Sequence, residues 1–422
     1  MKLPKDFSKM KNINLALSIL TGITGLVLFP SLALAQTAGS DTTVAQPTAS
    51  RSATGVGRLA DKLEIRMGKI SESDLKRLLG TKSSSTGQAG GRNAPTQKQG
   101  DSTLTSSDSR TYGTANLHFT HARVANRTTG PSNQPVSGFP YVASGRLLMG
   151  FGTTETYTST CSASLIGKGV IVTAAHCIAD FGGGTASLAK HVRFIPANNG
   201  GTTTSGPYGS WYWARLRVPT AYLNGTDPDT GTGVVTNNDV AVIELEKRNS
   251  LGQLIYPYGI AQIYYYGYGW NYNASNVTPN GLQEMTSLGY PGNYDSGQQM
   301  QRFDSLATPT GSGADGNPFQ WIRGGNMAPG SSGGPWLVNF GTVPSQTGGT
   351  LGPGGRNYVV GVTSWWTGDA VKRNGASRFG QNPQFPNASY TFNGINYGAG
   401  NIGALMRALC GTDGAQTRGA CF

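Results

Sequence analysis

From about Phe139 to about residue 398 the chain never holds one periodicity for long. Short runs rich in β-branched and aromatic residues recur: YVASGRLLMGF, CSASLIG, GVIVTAA, HVRFIPA, WYWARLRV, DVAVIEL, MTSLGY and NYVVGVTSWW. Turns built from Gly, Asn, Pro and Thr separate them. Runs of this length pair as strands, and the turn residues interrupt any helical period. The pattern predicts an all-β sandwich or a pair of barrels. The stretch from 139 to 422 is long enough for two small barrels. One late segment, GNIGALMRALCG (400–411), has helical spacing and predicts a C-terminal helix.

The upstream residues have a different character. Lys2, Lys5, Lys9 and Lys11 precede an apolar run from about Ile13 to Leu34, which Gly22, Gly25 and Pro30 interrupt. It ends in Ala33-Leu34-Ala35. A basic head, an apolar run and an Ala-x-Ala ending make residues 1–35 a secretory leader. The run approaches membrane-spanning length, but the proline break and the small residues favour cleavage over anchoring. The mature product is expected in the periplasm or outside the cell, with no membrane attachment. Residues 36–138 read as a propeptide, a helical segment followed by a disordered linker. Leu59, Leu63, Ile65, Met67, Ile70, Leu75, Leu78 and Leu79 approximate helical spacing over about 56–79. Ser71-Glu72-Ser73-Asp74 is the expected N-cap cluster of a second short helix ending at Gly80. Residues 81–115 are Ser, Thr, Gly and Gln with few apolar groups, and so predict disorder. His118 and His121 form an H-x-x-H pair, read as solvated surface rather than as metal ligands.

The formal net charge of +12 invites a nucleic-acid partner, but its distribution argues against one. Residues 1–135 hold 17 of the 33 basic and 8 of the 21 acidic side chains, a net +9, which leaves only +3 for 136–422. The C-terminal domain therefore has no polybasic face legible in its sequence. Four cysteines, Cys161, Cys177, Cys410 and Cys421, predict two disulfides in an exported chain. Three pairings are possible, and the local ones, Cys161–Cys177 and Cys410–Cys421, are the simplest. The close cysteine spacing of a structural zinc site is absent, so no metal or other cofactor is expected.

Three strings carry chemistry. In IVTAAHCIAD, His176 follows a strand-like run and precedes Cys177, so a bridge to Cys161 would pin its loop. In VTNNDVAVIELEK, Asp239 precedes an apolar run, where a carboxylate has the position to be buried beside an imidazole and fix its tautomer. In MAPGSSGGPW (327–336), two serines sit among glycines, which let a backbone bend its N–H groups toward an oxyanion. The same letters spell G-x-S-x-G around Ser332, the elbow of α/β-hydrolases. That fold needs its histidine after the serine, yet all four histidines precede Ser332. The order His, Asp, Ser remains. Two further features read as structural: Asp227-Pro-Asp229-Thr-Gly231 as a turn rather than a calcium loop, and the tyrosine-rich 255–275 as an aromatic barrel segment rather than a binding platform.

TAAHC (173–177), NNDVAVIEL, GSSGGP, SLGYPG (287–292) and GVTSWW (361–366) together resemble the chymotrypsin-fold, trypsin-like serine proteases, and most of all their bacterial glutamyl-endopeptidase or V8-like branch. The resemblance covers roughly 139–410. It implies two six-stranded antiparallel β-barrels with the active site between them, and a peptidase acting on proteins or peptides, as a monomer. It implies His176, Asp239 and Ser332 as the triad and the N–H groups of Gly330 and Ser332 as the oxyanion hole. The rivals are a catalytically silent binding protein on the same fold and a serine esterase. The chain departs from the family in places. Ser331 stands where trypsin itself keeps an aspartate that pairs with a newly cut N-terminus, so that activation switch is expected to be absent. In the substrate pocket Asn326 replaces a floor aspartate, Thr363 replaces the glutamyl branch's histidine before Ser364, and Trp366 replaces a glycine.

Overall fold

The computed structural model describes residues 42–45, 58–65, 68–69, 118–124 and 136–422, the last with interruptions at 201–205, 228–229, 232–233, 236, 261–262, 273–281, 312–317, 343–355, 370 and 387. The expected leader, the second short helix and the linker over 81–115 lie outside these residues.

Four upstream strands come first: β1 (Thr42–Ala45), β2 (Arg58–Ile65), β3 (Gly68–Lys69) and β4 (Thr120–Arg123). The first barrel follows, from β5 (Ser144–Gly150), β6 (Thr156–Leu165), β7 (Val170–Thr173), β8 (His191–Pro196), β9 (Trp211–Pro219) and, after the small ribbon of β10 (Thr230–Gly231) and β11 (Val234–Val235), β12 (Ala241–Asn249). Its strands run in the order β9-β12-β7-β6-β5-β8, and β8 pairs with β9 to close the sheet. Every residue of β5 and β7 is buried, because closure gives each strand a barrel interior on one side and packing on the other.

After β13 (Gly267–Tyr268) the second barrel repeats the plan with β14 (Gln283–Gly289), β15 (Gln301–Thr310), β16 (Gln320–Gly324), β17 (Pro335–Val338), β18 (Tyr358–Trp366) and β19 (Arg373–Arg378). The order is β18-β17-β14-β15-β16-β19, with β19 returning to β18. Trp321, Trp336, Met285, Val338 and Val360 fill it. Arg323 is fully buried there over the Trp336 ring, 4.6 Å away, and donates to the Phe303 carbonyl and the Ser287 hydroxyl. The expected barrel pair is therefore present. So is the C-terminal helix, which follows the hairpin of β20 (Thr391–Phe392) and β21 (Ile395–Asn396) and spans Gly400–Met406 before a π turn over Arg407–Thr412.

The upstream segment departs from its expected helix. Residues 58–65 form β2, parallel to β6, and 68–69 form β3, parallel to the end of β18. The sequence contains both periods, since Leu59, Leu63 and Ile65 also alternate. Open barrel edges offer a row of unpaired backbone groups, and that tertiary partner overrides a weak helical propensity. Nor does packing begin at residue 139. Strand β4 pairs antiparallel with β15, Val124 and Val136 belong to the core, and Arg123 pairs with Asp295.

Candidate active site

The first barrel carries His176 and Asp239. Strand β7 ends at Thr173, and the chain turns into a one-turn helix, α1 (Ala175–Ile178), that holds His176. A disulfide joins Cys177 to Cys161 on β6, fixing this turn to the neighbouring strand; the second disulfide joins Cys410 to Cys421. Asp239 lies just before β12 and is 1% exposed. Its Oδ1 accepts the His176 backbone N–H at 2.8 Å. Its Oδ2 lies 2.7 Å from His176 Nδ1 and accepts the Ser364 hydroxyl at 2.6 Å. A carboxylate only accepts, so Nδ1 carries the proton and Nε2 of the neutral ring is the basic nitrogen.

The loop before Asp239 is held by groups that its own sequence does not announce. Asp227 is buried and accepts Asn237 Nδ2 and the Asn238 N–H, so the Asp227 turn is a clamp two residues from Asp239. From the other side, Ser377 donates to the Asn237 carbonyl and Asn382 Nδ2 to Asn238 Oδ1.

The second barrel carries Ser332, in the loop before β17, where it is fully buried. Gly330 has φ 101°, and a Cβ there would meet the Tyr290 carbonyl at 2.5 Å. Gly333 has φ 76°, and its Cβ would collide with Thr173 and Ser162. Only glycine tolerates both the left-handed backbone and the close approach. The Ser332 carbonyl accepts the Ser162 N–H at 2.7 Å, while the Ser162 hydroxyl donates to the Gly330 carbonyl. Ser162 is the neighbour of Cys161, so the serine loop and the histidine turn rest on one strand. Ser331, fully buried, donates its hydroxyl to the Ala328 carbonyl at 2.8 Å.

The pocket residues divide. Asn326 Oδ1 accepts the Trp366 indole N–H at 3.1 Å, and Asn326 Nδ2 donates to Asp369 at 3.1 Å. Thr363 points elsewhere: its hydroxyl accepts the Trp336 indole N–H at 3.0 Å and donates to the Gly334 carbonyl at 3.2 Å. Of the tyrosine-rich segment, Tyr266 is buried and donates to the Pro140 carbonyl, whereas Tyr264 and Trp270 are exposed. His121 lies against the second barrel, its Nε2 2.7 Å from Gln301 Oε1 and its ring in tilted contact with Tyr294 and Phe303. Among the described residues, the group of side chains close enough for a metal is Cys161, His176 and Cys177, whose sulfurs are bonded to each other.

A profile of the trypsin family, described as Trypsin, matches residues 128–380, more than half of the chain. A glutamyl endopeptidase of Bacillus licheniformis is 31% identical over 147 residues. That stretch is 35% of this chain and 37% of that protein, so the chain spans little more than a third of this relative's length. Among solved structures, the protease Anisep from Arthrobacter nicotinovorans is 21% identical, with 57% of this chain and 91% of that one covered at a TM-score of 0.40. A Glu endopeptidase in complex with MPD is 19% identical, with 61% and 90% covered at a TM-score of 0.37. The family match spans both barrels, with His176, Asp239, Ser332 and Ser364 inside it: this chain belongs to the trypsin family.

Proposed function

We propose that the protein is an exported serine endopeptidase in which Ser332, His176 and Asp239 form the triad. The observation that carries this reading is the buried Asp239 carboxylate, which fixes His176 through two bonds and is itself fixed by Ser364. Ser332 attacks the scissile carbonyl. Nε2 of His176 takes the hydroxyl proton and returns it to the leaving amine, and Asp239 stabilises the imidazolium formed between. Water then repeats the sequence on the acyl-enzyme. The amides of Ser331, Gly333 and Gly334 are engaged with the carbonyls of Ala328, Thr363 and Ser331. We give the oxyanion role to Gly330 and Ser332, as the family resemblance implies, with each donor contributing about 3–4 kcal/mol. Labelling by a fluorophosphonate probe tests the reading. It should vanish in Ser332→Ala, with cleavage of denatured protein falling by about five to six orders of magnitude. An ester-only hydrolase would label without cleaving protein, and a silent binding protein would not label at all.

The pocket supports a small, uncharged side chain before the scissile bond. Trp366 reaches across to Asn326 and narrows the space. Thr363 has its hydroxyl committed to the fold, and Asp369 places negative charge behind Asn326, which opposes an acidic side chain. Export follows from the leader over 1–35 and from the two disulfides. The propeptide ends before β4, because removing residues through 138 would strip a paired strand from the second barrel and two valines from the main hydrophobic core. Intact-mass measurement of the secreted, active protein checks this: its N-terminus should lie between residues 70 and 118, and a mature chain retaining residue 36 would contradict it.

A further inference from the structure

A peptide substrate must lie over Ser332, and two strand edges flank that serine. Strand β18 pairs with β17 only as far as Val362, and the serine loop takes up Thr363. Trp365 and Trp366 therefore pair with β19 on one side and lie past the end of the β17 pairing on the other. Strand β6 meets β7 only at Ser164 and Leu165, which leaves the edge from Thr156 to Thr160 open next to Cys161 and Ser162. An extended peptide adds to such edges through backbone bonds.

In the full-length chain neither edge is vacant. Arg58 and Leu59 pair with Thr156 and Tyr157, and Glu64 and Ile65 with Ser159 and Thr160. Gly68 and Lys69 then pair with Trp365 and Trp366. Only two residues separate Ile65 from Gly68, a step of at most about 11 Å. The chain thus lies on the first barrel at β2 and on the second at β3, and Ser332 is fully buried.

Its direction matters. In a productive substrate the leaving nitrogen must face His176, which belongs to the first barrel. A peptide bond runs from carbonyl carbon to nitrogen along the chain, so a substrate must run from the second barrel to the first. The 58–69 segment runs from the first to the second. Any carbonyl it offers to Ser332 has its nitrogen on the side away from the imidazole.

We infer that residues 58–69 are a built-in occupant of the substrate cleft, paired to both substrate edges in reversed polarity, so that they block the site without being cut. The inference rests on Ser332 being the nucleophile. A processing cut after Lys69 and before β4 would free the strap while leaving β4 in place.

The test is fluorophosphonate labelling of the full-length chain, with intact and processed bands resolved on one gel. The intact band should label about tenfold more slowly than the processed band, as expected if the cleft is open about a tenth of the time. Gly68→Pro with Lys69→Pro removes two backbone donors and should bring the intact band to the processed rate. Mass spectrometry should find no cut between Ile65 and Gly68 that depends on Ser332. Equal labelling of intact and processed wild type would overturn the inference. So would a cut there that disappears in Ser332→Ala, since it shows forward polarity. If no form labels, the serine reading fails and the strap fails with it.

Discussion

Single side chains set the proposed pocket and hold the proposed triad. Replacing Trp366 with glycine removes the indole that bonds to Asn326. Cleavage profiling with a peptide library should then show preference moving toward larger side chains, with kcat/KM for the small-residue substrates falling severalfold. Asp227 is a positioning residue, as it accepts from Asn237 and Asn238 in the loop before Asp239. Asp227→Ala removes the acceptor of the buried Asn238 N–H and one of the two acceptors of the Asn237 amide, and should lower stability by about 1–3 kcal/mol in chemical denaturation. Its kcat should fall more than its KM rises, and Asp227→Asn should recover part of both. The strings around His176, Asp239 and Ser332 are local, so the sequence alone singles them out. The work of Asp227 and Thr363 is not legible there. Their partners are Asn237 and Asn238 across a loop, and Trp336 on another strand, and only closure of the barrel brings these together.

At the scale of elements, alternating apolar runs foretold the strands and a helical repeat foretold α2 (Gly400–Met406). The error fell on β2, where the same residues satisfy a period of two and an approximate helical one. An edge strand of the fold, remote in sequence, decided between them. The Cys161–Cys177 bridge ties β6 to the histidine turn across a separation of 16 residues. Changing both cysteines to alanine should lower stability by about 3 kcal/mol by loop-closure entropy. It should also loosen His176, so kcat should fall even well below the melting temperature; unchanged kcat in the folded variant would assign the bridge to stability alone. The C-terminal element fastens to the first barrel through a paired fork, Arg418 to the buried Glu244, and through Arg217 to Asp413.

The whole molecule buries an unusual set of phenols. Burial pushes the hydroxyls of Tyr266, Tyr290 and Tyr268 well above the ordinary tyrosine range and that of Tyr256 up to about 12. The unfolded chain releases these protons near pH 10, and the folded chain holds them longer. Their contribution to stability is therefore fully present below about pH 10 and is lost as pH climbs toward the folded values. Burial lowers Arg323 to about 9, Arg217 to about 10 and Arg146 below its ordinary value, which acts in the opposite sense, but the four tyrosines, joined by Tyr265, Tyr272, Tyr294 and Tyr397, outnumber these three and leave the net slope downward. Thermal melts should show the midpoint falling from about pH 10 upward, with tyrosinate absorbance rising at unfolding rather than before it.

The stitches between the barrels have one more consequence. Asp239 meets His176 inside the first barrel, but its third bond comes from Ser364 in the second. Ser332 lies in the second, and its carbonyl is held by Ser162 in the first. The constellation is a coincidence detector. A chain with one barrel formed and the other still unfolded has all the reactive groups but only part of their geometry. For the proposed exported peptidase, reactivity would arrive only with the finished fold.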